Sequence, residues 1–134
     1  MHSPKRLGRL AVVAVACLLM VASSLHAASP AGRWQGGWYS APTGHRGPLR
    51  ARIRPLNTNQ YQATFAGRFA LVVPFVYRAR LDRVPGTVDQ YTSSKRMPFV
   101  GNYQMHATIT PDHFHADFRG RRDSGTFRMM RRGY

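Results

Sequence analysis

Four side chains that could hold a metal, His106, His113, His115 and Asp117, flank the dipeptide Pro111-Asp112. With that dipeptide as a turn, the neighbouring strands pair Thr110 with His113, Thr108 with His115 and His106 with Asp117. All four side chains then share the outward face of one hairpin. Alternate strand positions lie about 6–7 Å apart, a spacing from which imidazoles and a carboxylate can converge on an ion such as zinc. The same residues are ordinary occupants of a solvated polar face, and His106 beside Asp117 also reads as a plain cross-strand pair. A strongly basic surface opposes the binding of a cation there.

The arginines suggest different chemistry. Arg50, Arg52 and Arg54 alternate with Leu49, Ala51 and Ile53, so three guanidinium groups form one outward stripe. Arg68, Arg78 and Arg80 follow on the strands expected beside it. A guanidinium grips phosphate or carboxylate through a planar fork. Like charges facing one another across strands repel, and an anionic partner would relieve that repulsion. A solubilising surface would have the same composition. A third group is the loop Thr43-Gly44-His45-Arg46-Gly47. Its glycines let backbone approach a ligand, with His45 and Arg46 as the interacting side chains; a structural turn accounts for the same residues.

Catalysis finds little footing. The chain has no Glu, and four of its five Asp (Asp82, Asp89, Asp112 and Asp123) fall in or beside expected turns. No nucleophile elbow, phosphate-binding loop, dinucleotide fingerprint or zinc-protease helix occurs. Neither a catalytic residue nor a cofactor is expected.

Charge and export limit the partners. The 134 residues carry 20 Lys and Arg against 5 acidic residues. Lys5, Arg6 and Arg9 precede the unbroken apolar run Leu10 to Ala22, and small residues follow to Ala28. This order predicts a secretory signal peptide over 1–28, cut after Ala27 or Ala28, and one folded domain over 29–134. The apolar run is shorter than the roughly 20 residues of a spanning helix, and no second such run follows. Cys17 falls inside the signal, which leaves the domain without thiols or disulfides. That domain keeps 16 Arg and 1 Lys against 5 Asp, a net charge of +12. The expected location is the extracellular space or the periplasm and cell envelope. The expected partner is an anionic ligand or a cell-envelope polyanion, and export argues against nucleic acid.

The elements that must position these groups are strands. After the signal the apolar period is two, not 3.6. Strands are expected at 33–40, 49–56, 60–69, 75–81, 99–110 and 126–132, with another through Phe114, Ala116 and Phe118. A short one is expected within 87–92. Asn57-Thr58-Asn59 makes a turn that pairs Ile53 with Ala63 and Ala51 with Phe65, so both apolar sets lie on one face. Seven or eight strands in hairpin succession predict an all-β antiparallel meander. Inward faces that mix Phe and Tyr with Ala and Gly suit a small closed barrel. A two-sheet β-sandwich is the alternative.

Gly32-Arg33-Trp34 opens the first strand, and Arg128, Arg131 and Arg132 end the last. This arrangement resembles the calycin barrels of the lipocalin and avidin type, in which a Gly-x-Trp closes the floor and a late arginine stacks on the indole. The resemblance implies barrel closure by Gly32, Trp34, Trp38, Arg128 and Arg131, with a cation–π contribution of about 1 kcal/mol. The run from Trp34 to Ser40, followed by Gly44-His45-Arg46-Gly47, also resembles small secreted bacterial proteins. The leading expectation is a binding module that takes an anionic ligand on Arg50, Arg52, Arg54, Arg68, Arg78, Arg80, His45 and Arg46. The alternatives are a calycin-like binder of a small apolar ligand inside the barrel, and a metal-dependent enzyme built on the histidine hairpin.

Overall fold

A computed structural model describes residues 29–69, 72–97 and 101–133. The expected signal peptide, with Cys17, lies outside the described residues, as does Phe99. The strands are β1 (Gly32–Ser40), β2 (Arg46–Pro55), β3 (Gln60–Phe69), β4 (Val73–Arg83), β5 (Gln90–Met97), β6 (Gly101–Ile109), β7 (His113–Arg119) and β8 (Ser124–Arg131). Each pairs antiparallel with the next. β8 then returns to β1, from Trp34 opposite Arg131 to Ser40 opposite Gly125, and closes the sheet into an eight-stranded barrel. The closure excludes a sandwich and leaves the sheet without a free first or last strand.

The alternation read from the sequence is what turns each strand. Leu49, Ala51 and Ile53 are buried, while Arg50, Arg52 and Arg54 are exposed. Ile53 pairs with Ala63 and Ala51 with Phe65. The Asn57 side-chain oxygen accepts the Asn59 amide at 3.0 Å, which sets the turn between them. Rings fill the interior: Phe65 lies 5.9 Å from Phe114 and 5.3 Å from Phe127. Alanines 51, 63, 79, 107 and 116 make room for them on the inward face. Gly36 sits where β1 passes close to β8. A Cβ there would run into the Arg128 carbonyl, so only glycine lets β1 and β8 approach as they do.

One end of the barrel is sealed. The Arg131 guanidinium carbon sits 4.4 Å from the centre of the Trp34 ring. Its three nitrogens donate to the carbonyls of Pro111 (2.6 Å), Ala31 (2.6 Å) and Ser29 (2.8 Å). The indole N–H of Trp34 donates to the Pro30 carbonyl at 3.0 Å. A second arginine, Arg83, covers the Tyr91 ring at 5.3 Å. Two residues expected in this closure are elsewhere. Trp38 faces inward near the opposite end. Arg128 is exposed on the outer wall, because its position on β8 has the outward parity, three residues before Arg131.

The strand expected within 87–92 runs instead from Gln90 to Met97. Its second half lacks the apolar alternation that would announce a strand, since Tyr91 and Ser93 face inward and Lys95 takes the next inward position. β4 and β5 pair only at Asp82 with Thr92 and Arg83 with Tyr91, and then part. Continuing that register would set Arg78 opposite Arg96 and point the Lys95 ammonium into an aromatic core. Both are unfavourable. The Lys95 Nζ instead donates to the Arg78 carbonyl at 2.8 Å and lies 5.3 Å from the Tyr77 ring.

Candidate functional site

The arginines form a wall on the outside of β1 to β4. Arg50, Arg52 and Arg54 are all exposed on β2, with Arg33 of β1 directly opposite Arg52. The outward residues of β3, Gln62, Thr64 and Ala66, separate this stripe from Arg78 and Arg80 on β4. A neutral strand thus spaces the two arginine rows by two strand widths, about 9–10 Å. The β2 and β4 arginines therefore do not face each other directly, whereas Arg33 and Arg52 do. Arg68 lies farther along β3, opposite Pro74. Arg46 pairs with Tyr39 at the far end of β2. Arg46 and Arg128 border a depression of about 630 Å³ whose floor includes Gly36, Gly37 and Gly47. Among the described residues one Arg–Asp ion pair and one His–Asp contact occur. Arg80 Nε is 3.5 Å from Asp82 Oδ1, and His115 Nε2 is 3.7 Å from Asp117 Oδ1.

The histidine hairpin folds in the expected register, with Thr108 opposite His115 and His106 opposite Asp117. It does not assemble a metal site. No three His, Cys, Asp or Glu side chains among the described residues come together. Asp117 is taken up in the pair with His115, and His113 stands at the turn, its amide on the Thr110 hydroxyl at 3.2 Å. His106 and Asp117 instead line a broad outer groove of about 820 Å³ across β5 to β8, with Thr92, Ser94, Gln104 and Arg119.

A site the sequence did not announce lies at the end opposite Arg131. There Trp38, Phe69, Phe75, Tyr77, Tyr103, Phe118 and Phe127 surround a cup of about 190 Å³, together with the carboxylate of Asp123. Trp38 stacks on Phe69 at 6.0 Å and meets Phe75 edge-on at 6.3 Å. Tyr103 stacks on Phe118 at 5.5 Å and meets Tyr77 at the same distance. The Trp38 indole donates to the Arg68 carbonyl at 3.2 Å, and Gly47 leaves the space that this contact needs.

The loop read as a candidate site serves this cup. The Thr43 hydroxyl donates to Ser40 Oγ at 2.9 Å, and Ser40 donates to Asp123 Oδ1 at 2.6 Å. His45 packs edge-on against Phe69 at 6.0 Å. Burial pushes the phenols of Tyr77 and Tyr103 above the ordinary tyrosine value, and the nearby Asp123 charge adds to the effect at Tyr103. The Tyr77 hydroxyl and Ser93 Oγ on β5 are buried beside each other, with no other hydrogen-bond partner among the described residues.

The barrel has a designed counterpart. No family model matches the chain, and no curated protein matches it. Among solved structures the chain is similar to a de novo designed fluorescence-activating β-barrel. The two are 18% identical with a TM-score of 0.56, over 77% of this chain and 93% of the designed one. At that identity the likeness concerns the fold, a small closed antiparallel barrel.

Proposed function

We propose that this protein is an exported barrel-scaffold binding module that takes an anionic ligand or cell-envelope polyanion on its arginine wall. The observation that carries this reading is the exposed stripe Arg50, Arg52 and Arg54, flanked by Arg33 and faced across β3 by Arg78 and Arg80. Of these six, Arg80 is the one with a carboxylate partner among the described residues. Arginines repeated at alternate strand positions, about 6–7 Å apart, match a polymer that carries charge at short regular intervals. The depression between Arg46 and Arg128 adds a second place where an anionic group meets two guanidiniums. The designed counterpart is a fluorescence-activating barrel, which is consistent with small barrels of this kind serving as binding scaffolds. The stacking of Arg131 on Trp34 beside Gly32 supports kinship with the calycin barrels.

The reading is tested by retention on a sulfated-polysaccharide column as salt is raised. The parent domain should elute at high salt, and the triple change of Arg50, Arg52 and Arg54 to Gln should elute much earlier. Unchanged retention of a folded triple variant would remove the wall from the function.

A further inference from the structure

We propose that the open end of the barrel binds a small organic cation, an alkylammonium group held between aromatic ring faces and the Asp123 carboxylate. This proposal is independent of the arginine wall. Ring faces carry negative electrostatic potential, and several rings around one space favour a desolvated cation over a neutral group of the same shape. Seven aromatic residues, Trp38, Phe69, Tyr77 and Tyr103 among them, line that space.

The charge at the cup runs against the rest of the molecule. In a domain with seventeen basic and five acidic residues, the ionised side chain lining the cup is a carboxylate. That carboxylate is held in place. Ser40, buried to 2% exposure, donates to it, and Thr43 orients Ser40 in turn. The Gly120 amide on the Asp123 carbonyl, at 2.7 Å, closes the turn beneath it. No described Lys or Arg lies within ion-pair distance of Asp123. A neutral hydroxyl is its hydrogen-bond partner, so its charge is available to a ligand.

The size of the cup bears on the ligand. The volume of about 190 Å³ equals about six waters. A trimethylammonium group on a two-carbon alcohol is of that scale.

The experiment is an NMR titration of the protein with choline and with its uncharged isostere 3,3-dimethylbutan-1-ol. Choline should move the indole N–H resonance of Trp38 and leave that of Trp34 in place. It should bind about tenfold more tightly than the isostere. Asp123→Asn keeps an acceptor for Ser40 and should weaken choline about tenfold, with no effect on the isostere. Phe69→Leu, at a rim position 48% exposed, should weaken choline severalfold in a protein that folds normally. Three results overturn the proposal: equal affinity for the two probes, choline affinity unchanged by Asp123→Asn at unchanged melting temperature, or a Trp34 response without a Trp38 response.

Discussion

Trp34 and Trp38 occupy the same inward face of β1, four residues apart, and meet opposite ends of one barrel. At Trp34 itself the polar groups of the closure are partnered, although the Tyr91 hydroxyl and Arg83 Nε farther round this end are buried with no hydrogen-bond partner among the described residues. The Trp34 indole N–H reaches Pro30, and the guanidinium above it spends three donors on three carbonyls. Around Trp38 the rings stop short of filling the space, and the Asp123 carboxylate has no cation at ion-pair distance among the described residues. The strands follow the same division. β4 and β5 are laced together beside the sealed end and part on the way to the open one. In a small barrel, stability and binding make opposite demands on packing, and the two ends of this chain are packed differently.

The sharpest way to break that comparison is to truncate both tryptophans. Trp34→Ala should cost about 4 kcal/mol, because it empties a fully enclosed site and strands the guanidinium above it. Trp38→Ala should cost distinctly less, since water can enter from the cup. Urea unfolding followed by circular dichroism reads both, and equal losses would show that the two ends are packed alike. Arg131→Met keeps the apolar stem over Trp34 and removes the fork. It should cost about 2 kcal/mol, while Arg128→Met, on the outer wall, should be nearly silent.

This contrast was only half visible in the sequence. The sealed end depends on residues with a local signature, a glycine and tryptophan at a strand start and an arginine near the chain end, so Arg131 over Trp34 could be anticipated. The β2–β3 hairpin was equally legible, because its apolar period and its asparagine turn demand the same register. The open end has no such signature. Its rings come from β1, β3, β4, β6, β7 and β8, where Trp38 read as part of the closure and the others as ordinary core, and Asp123 read as a turn residue. Their convergence is a property of barrel closure and has no trace in local spacing. The metal reading erred for a related reason. Register placed the four side chains on one face, but a shared face does not make them converge.

Alkali tests the same division through the tyrosines. Burial raises the phenols of Tyr77 and Tyr103 near the cup and of Tyr91 near the sealed end, where Arg83 partly opposes the shift. In the unfolded chain these groups ionise near pH 10, while in the fold they keep their protons to higher pH. Their stabilising effect is therefore complete below about pH 10 and is lost as pH rises toward the folded values, by up to about 1.4 kcal/mol per pH unit for each tyrosine. Denaturant midpoints should be flat through neutral pH and fall above that point. Tyr103→Phe should flatten the fall most. A decline that begins well below pH 10 would place its cause outside these phenols.

The smallest effect concerns Lys95, whose inward position keeps β5 from pairing further with β4. Lys95→Leu loses the bond to the Arg78 carbonyl but lets an apolar side chain turn inward. Burial of a leucine, worth about 2 kcal/mol when complete, offsets a surface hydrogen bond worth about 1 kcal/mol, so the variant should gain about 1 kcal/mol. Hydrogen exchange should then slow at amides of β4 and β5 on the open side of the Asp82–Thr92 pair. The same change removes an ammonium from the Tyr77 ring and alters the wall of the cup, so choline affinity should shift together with stability. A variant that gains stability while the β4–β5 amides still exchange freely would mean that repulsion between Arg78 and Arg96, and not the inward lysine, holds the seam apart.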